Sequence, residues 1–413
     1  MRKLCLFCIV LCGILLPCLA LGEAFPSVYL YTDHQVQIAS KEEYLNGHVT
    51  AGKIIDAPAQ LKGHGNSTWL SSEKKSYRIK FDEKQNPFGI GDAEERDWIL
   101  LANHFDKSLL RNHLALSLAA RLDGLEGFVD FLNVHVYMND EYMGLYLLCQ
   151  RVEQGSARLA IQIYDGGFLL EMDTYKTGEG SFVVGNNTFD VKSDYANDDQ
   201  VDEIYYFIDE VDTAIMTQDE EYAEYIQDWL DVDSWVDAYI IEEFLLNSDV
   251  GFSSFNLYRT NADSKLFAGP LWDFDLSAGN HAEANEGSPE GIYAAYLAAT
   301  VFDHQWFAWL MEMEWFSSLV HERWAEVSDI IDQALADVQE LTVNHQEDYA
   351  RNFERWPVLK EQLWKEPEIL LTLGTHAEHS DYLVDWLKER KAWLDIEWGP
   401  QAADSDAEAE ISE

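Results

Sequence analysis

The hydrophobic period changes once along this 413-residue chain, and that change limits the fold more than any single motif does. Up to about residue 195 the structured runs alternate apolar and polar residues, the period of a strand; from about 196 the apolar residues recur every three or four positions, the period of a helix. In the first part, Ser76-Tyr77-Arg78-Ile79-Lys80-Phe81 is a strict alternation, with Tyr77, Ile79 and Phe81 on one face and Arg78 and Lys80 on the other. Asn133–Met138 and Met143–Cys149 flank Asn139-Asp140, a hairpin signal. Gly166-Gly167 breaks the chain before a further strand, Phe168–Glu171. One helix intrudes at 108–122, where Leu110, Leu114, Leu118 and Leu122 share a face. In the second part, Asp231 or Asp233 can cap a helix carrying Val236, Ile240 and Phe244, which runs out at Asn247-Ser248-Asp249. A strand-like pair, 255–259 and 266–276, precedes a Trp-rich helical stretch, 301–395. The expected class is α+β, with a β-rich N-terminal half, a helix-rich C-terminal half and a cleft between them.

The N-terminus bears on compartment. Arg2 and Lys3 precede an apolar run, Leu4 to Leu16, and Ala20-Leu21-Gly22 offers small residues before Glu23. This is the pattern of a cleavable secretory signal over 1–22, too short to span a membrane comfortably. Four of the five cysteines lie within it, leaving Cys149, so the mature chain has no intrachain disulfide and depends on core packing. The expected location is secreted or cell-surface, with no membrane span. The last ten residues, 404–413, read as an acidic tail.

Charge excludes whole classes of partner. With 75 Asp and Glu against 28 Lys and Arg, the net charge is −47, and signal removal makes it more negative. Such a surface repels nucleic acid and anionic membrane. Disorder is excluded as well, because 47% of the residues are hydrophobic, with 14 Trp, 20 Tyr and 20 Phe to fill a core.

Three segments could carry chemistry. Lys74-Lys75-Ser76-Tyr77-Arg78-Ile79-Lys80 gathers four bases in a chain that has few, suited to an anion such as phosphate or to pairing with nearby carboxylates. Asp249, past the end of an apolar helix, is either a helix stop or a base held by a rigid support. Asp273 and Asp275, in Gly269-Pro270-Leu271-Trp272-Asp273-Phe274-Asp275, sit at i, i+2 in an apolar, extended-looking segment; that is either a surface turn or a site for a divalent cation. There is no HExxH, GxSxG or Walker A motif.

Taken in order, these segments resemble the spore-coat-protein-H (CotH) family of atypical secretory-type protein kinases. The matching stretches are Gly65-Asn66-Ser67-Thr68-Trp69; Lys74 to Phe81; Trp98 to Asn103 with Asp106 and Arg111-Asn112; Tyr142 to Leu148; Gly166 to Asp173; Asn247-Ser248-Asp249; and Gly269 to Asp275. The resemblance implies a two-lobed, remote protein-kinase-like fold over 23–403, with an N-lobe of about 23–165 and a C-lobe of about 166–403. It implies ATP and Mg²⁺ or Mn²⁺ as cofactors, and transfer of the γ-phosphate to Ser or Thr of exported proteins; the surplus of acid in the chain favours basic substrates among them. Lys80 takes the part of the phosphate lysine, with Arg78 and Lys75 as rivals; Asp249 that of the catalytic aspartate; Asp273 and Asp275 those of metal ligands, with Asn256 a third. Two departures stand out: Gln150 where relatives often carry an acid, leaving Glu153 or Glu171 to pair with the phosphate lysine, and Lys62-Gly63-His64-Gly65 where Arg-Gly-Asn is commoner. A non-catalytic adhesion or coat protein on the same fold, or a nucleotidyl transferase, are the alternatives.

Overall fold

A computed structural model describes residues 24–92, 94–156, 158–195, 197–217, 220–247, 249–250, 253–297 and 306–399. The expected signal (1–22) and acidic tail (404–413) lie outside the described residues. Seven strands form a closed barrel: β1 (Ser27–Thr32), β2 (Leu45–Ala51), β3 (Ile54–His64), β4 (Ser76–Gln85), β5 (Glu95–Leu101), β6 (Phe131–Met138) and β7 (Glu141–Gln150). Their order is β1-β2-β3-β4-β5-β7-β6, and β6 closes the ring by pairing parallel to β1. The alternation at 76–81 is strand β4, with Tyr77, Ile79 and Phe81 in the barrel core beside Trp98 and Tyr146. Burying such large side chains is the main force that closes the barrel. The expected hairpin is β6–β7, and both turn residues, Asn139 and Asp140, have positive φ (50° and 68°) as a tight hairpin requires.

The expected first-half helix is shorter than the leucine spacing suggested. Helix α2 covers Arg111–Ala119, following the five-residue helix α1 (Ser67–Ser71), yet Leu110, Leu114, Leu118 and Leu122 are all buried. The outer faces of β5 and β7 place Ile99, Leu147 and Cys149 against Leu116 of α2. Cys149 is therefore core: burial pushes its thiol pKa up, and it is no nucleophile.

A second sheet has the order β12-β11-β8-β10-β9, from β8 (Phe168–Met172), β9 (Ser181–Val184), β10 (Asn187–Val191), β11 (Phe255–Arg259) and β12 (Phe267–Ala268). Helices α3 (Asp198–Thr217), α4 (Glu220–Trp229), α5 (Val232–Phe244), α6 (Trp306–Glu312), α7 (Glu314–Asn344), α8 (Gln346–Arg355) and α9 (His376–Glu397) complete the described chain. Asp231 caps α5 by accepting the Ser234 N–H (3.1 Å). Helix α5 is buried all round from Ser234 to Phe244, which marks it as the axis of this half. No helix among the described residues is long and apolar enough to cross a membrane.

One of the contacts that join the halves is made at the end of the barrel. Helix α8 docks on β7, where Asn352 Oδ1 accepts the Leu145 N–H (3.0 Å) and Trp356 Nε1 donates to the Met143 carbonyl (2.7 Å). Gly144 permits this approach: at φ 117°, an added Cβ would lie 2.8 Å from Asn352 Oδ1. Within the helical half, Glu243 of α5 and Arg390 of α9 form a fully buried ion pair (2.6 Å), and Glu243 also accepts the N–H groups of Tyr293 and Ala294. Arg390→Met should leave Glu243 charged and unpaired, and the expected loss is about 3–5 kcal/mol of unfolding free energy. Chemical denaturation reads this directly; a loss below 1 kcal/mol would mean that the pair is not holding α5 to α9.

Candidate functional site

A cleft of about 580 Å³ runs between the barrel and the second sheet, a size suited to a nucleotide-like ligand. One wall comes from the glycine-rich end of β3 and from β4. Gly63 is needed there, because a Cβ would overlap the Trp69 ring at 2.2 Å. The opposite wall holds Glu171 and Asp173 at the end of β8, Asp249 after α5, and Asp273 and Asp275 after β12. Thus Asp249, Asp273, Asp275, Glu171 and Arg78, chosen from sequence, line one cavity although 197 positions separate the first from the last.

The aspartates do not share a face as an extended segment would arrange them. Strand β12 stops at Ala268, and Asp273 has φ 69°, a left-handed conformation that turns the chain. The i, i+2 argument therefore fails in its detail: a loop, not a strand, turns both carboxylates into the cleft. That loop is gripped from the barrel side. Asn112 Oδ1 accepts the Phe274 N–H (2.7 Å), and Arg111 donates to the carbonyls of Ser277 (2.8 Å) and Ala278 (3.0 Å). Arg111 is itself held by Asp106 (2.5 Å). Asn256, the third expected ligand, is buried and donates its amide to the Pro270 carbonyl (2.8 Å), outside the cleft lining.

The bases fall differently from expectation. Arg78 lines the cleft but is paired with Asp97 (2.5 Å). Lys80 is not in the lining; its Nζ lies 5.9 Å from the Tyr44 ring centre. Lys75 is turned away, its Nζ donating to the Trp69 carbonyl (2.5 Å). Lys74 is a buried strut, bonding the carbonyls of Ala102 (2.8 Å) and Leu145 (2.5 Å). The other lysines of the lining are Lys41 and Lys62 on the barrel side and Lys176, Lys192 and Lys365 from the other half. Lys62 stands opposite Arg78 in the β3–β4 register, over Tyr44, and forms no ion pair among the described residues. Lys192 pairs with Glu171, while Glu153 pairs with Arg151 and Arg158. The expected pairing of Glu153 or Glu171 with Lys80 is therefore not formed among the described residues, and Glu171 takes Lys192 instead. Gln150, the departure, lies in a smaller pocket with Asp130 and Arg151, away from the cleft.

Sequence reasoning passed over these residues for different reasons. Lys62 opens the glycine-rich segment and was visible as an oddity; Lys192 carries no local signal. Trp364 and Lys365, from the segment between α8 and α9, also line the cleft, and nothing in their neighbourhood marks them. Trp364 stacks on Phe105 (centroids 5.4 Å apart), and the segment is tied to the barrel half by the buried Lys107–Glu366 pair (3.3 Å).

Crowding of acids dominates the electrostatics. Burial, then the charge of Asp273, lifts the Asp249 pKa to about 7; burial, then Glu171, lifts Asp273 to about 6, partly offset by the Ser254 hydroxyl. Asp275 is raised further, by burial and then by Asp273, Asp249 and Asp106, against Arg111. Clustered carboxylates that resist ionisation are the donor set a hard divalent cation relieves. No group of three His, Cys, Asp or Glu among the described residues is placed to hold a metal alone. Two carboxylates completed by phosphate oxygens is a usual arrangement for Mg²⁺, so the donor set fits a cation that arrives with nucleotide.

Comparison with family models matches residues 61–394 to the CotH kinase protein family, so the chain belongs to that family. Comparison with curated proteins finds no match.

The raised Asp249 pKa has a stability consequence. Folded protein keeps this proton up to pH about 7, whereas the unfolded chain releases it near pH about 4. Between those values the folded state binds more protons, so stability falls as pH rises. Asp249→Asn should gain thermal stability over the parent at pH 8 in EDTA, with the gain shrinking towards pH 5. A melting-temperature difference that is flat across that range would contradict the assignment.

Proposed function

We propose that this CotH-family chain is a kinase of two-lobed, protein-kinase-like fold that uses ATP and Mg²⁺ or Mn²⁺ to phosphorylate Ser or Thr of exported proteins. The observation that carries the reading is one cleft with bases on its barrel side and Asp249, Asp273 and Asp275 facing them. The barrel ends with β7 and the second sheet begins with β8, which supports a lobe boundary near 165. We read 1–22 as the export signal and 23–403 as the catalytic domain.

Lys62, Arg78 and Lys192 are the groups placed to attract and orient the triphosphate, against a protein that is otherwise strongly anionic. Lys80, Lys75 and Asn256 drop to secondary candidates for the nucleotide and metal roles, since their polar atoms are engaged elsewhere or lie outside the lining. Asp273 and Asp275 would hold the divalent cation, which supplies charge neutralisation on the phosphates when bound. Asp249, with its pKa near 7, is suited to orient the acceptor hydroxyl and take its proton. The left-handed Asp273 and the grip of Arg111 and Asn112 fix the metal side of the cleft before ligand enters, so little reorganisation is left for the transfer itself.

Purified protein given Mg²⁺ or Mn²⁺ and ATP labelled separately at the α- and γ-phosphates should transfer γ-label to itself or to a Ser-rich peptide. Asp249→Ala and Asp273→Ala should each lower the rate by at least ~10²-fold. Lys62→Ala should mainly raise KM for ATP. Absence of both label transfer and a nucleotide-dependent rise in melting temperature would reject the kinase reading, and α-label on the acceptor would replace it with nucleotidyl transfer.

A further inference from the structure

Behind Asp249 lies a second carboxyl that the mechanism above does not use. Glu242 sits on the last turns of α5, 3% exposed, and its Oε2 has no hydrogen-bond partner among the described residues. An orphaned carboxyl oxygen in a helix that is otherwise core is costly, and an alanine or leucine there would be cheaper for the fold alone. Its polar neighbour is Asn247, also buried, whose side chain hydrogen-bonds Glu242. The Asn247 N–H donates to the Glu242 carbonyl (3.0 Å), and Asn247 Oδ1 accepts the Asp249 N–H (3.1 Å). A chain of contacts therefore runs from Glu242 through Asn247 to the backbone of Asp249.

We propose that Glu242 is a positioning residue for Asp249: its buried side chain fixes Asn247, which in turn fixes the backbone that presents Asp249 to the cleft. The inference rests on the kinase reading for its catalytic meaning, though not for its structural content. The charged groups that face Glu242 are Asp249 from the loop and Glu243 on its own helix, and both disfavour its ionisation; Glu243 is already neutralised by Arg390 of α9. Burial and these neighbours lift the Glu242 pKa to about 8, so the carboxyl is mostly protonated at neutral pH. On ionising it would put a negative charge beside Asp249, next to the loop it is meant to hold.

The test uses the full mature chain with Mg²⁺, ATP and a Ser-rich peptide. Glu242→Leu should lower kcat by about tenfold or more with KM for ATP little changed, because the triphosphate contacts lie elsewhere in the cleft. Glu242→Gln, which keeps the shape and hydrogen bonding of the neutral acid, should restore most of that rate and should hold it above pH 8, where the parent declines. An activity-independent measurement runs beside it. Melting temperatures of Glu242→Gln, Asp249→Asn and the double variant at pH 8.5, without nucleotide, should be non-additive, since each single change already removes the same repulsion. Additive shifts, or a Glu242→Leu enzyme with parental kcat, would overturn the proposal. If Glu242→Leu does not fold, the Gln variant decides it: an alkaline limb identical to the parent's overturns it. A parent that transfers no phosphate sinks the kinase reading alone, because the melting cycle still reports whether Glu242 and Asp249 are coupled.

Discussion

The candidate site depends on one buried ion pair, Asp106 with Arg111. The Asp106 carboxylate accepts the N–H groups of Ser108, Leu110 and Arg111 (each 2.9 Å) as well as the guanidinium. A carboxylate so fully hydrogen-bonded can hold an equally buried arginine. Arg111 spends its remaining donors on the carbonyls of Ser277 and Ala278, the turn that follows Asp275. The barrel half thereby fixes a loop of the helical half, and the cleft keeps its shape although its walls come from opposite ends of the chain. Without that clamp, the mutual repulsion of Asp249, Asp273 and Asp275 would push the loop towards solvent.

That repulsion is the second organising force. Three carboxylates with raised pKa values in one cavity are a strained arrangement in the absence of a cation. Stability given up here has to be recovered in the core, and the barrel and α5 are where it is recovered: Trp98, Tyr146, Trp235 and Tyr239 are all buried to within 1%. With Cys149 the one cysteine among the described residues, aromatic packing and buried pairs such as Glu243–Arg390 hold the described fold without a disulfide within it.

What the sequence disclosed follows from the range of the interactions involved. Strand β4, the β6–β7 hairpin and the cap at Asp231 are local, set by alternation, turn chemistry and a side chain reaching three residues ahead, and each lies where its pattern put it. Asp249 and Asp273 were legible because charge beside apolar sequence is conspicuous. Barrel closure was not, since the parallel β1–β6 pairing joins residues more than a hundred positions apart and leaves no periodic trace. The wall of bases was read one register off for the same reason. Alternation places Arg78 and Lys80 on one face, but which of them meets the cleft depends on where β4 runs past the cavity mouth and on Asp97 from β5. Lys192 and Trp364 could be found only once distant strands and segments were brought together.

The acidity of the chain takes on a different meaning in this frame. A net charge of −47 raises the potential that any polyphosphate must overcome, so a nucleotide can enter only where local cations outweigh the field. Arg78 and Lys192 are already paired with Asp97 and Glu171, while Lys41 and Lys62 line the cleft with no ion pair among the described residues. The pairing of Lys192 with Glu171 is then a poised contact: an arriving phosphate competes with Glu171 for the ammonium, while Glu171 contributes to the raised pKa of Asp273. A divalent cation entering with the phosphates would relieve both conflicts at once, by drawing protons off Asp273 and by screening Glu171 after its lysine is shared. Under the proposed function, binding of nucleotide and of metal should therefore be cooperative in this cleft, each removing the charge imbalance that opposes the other.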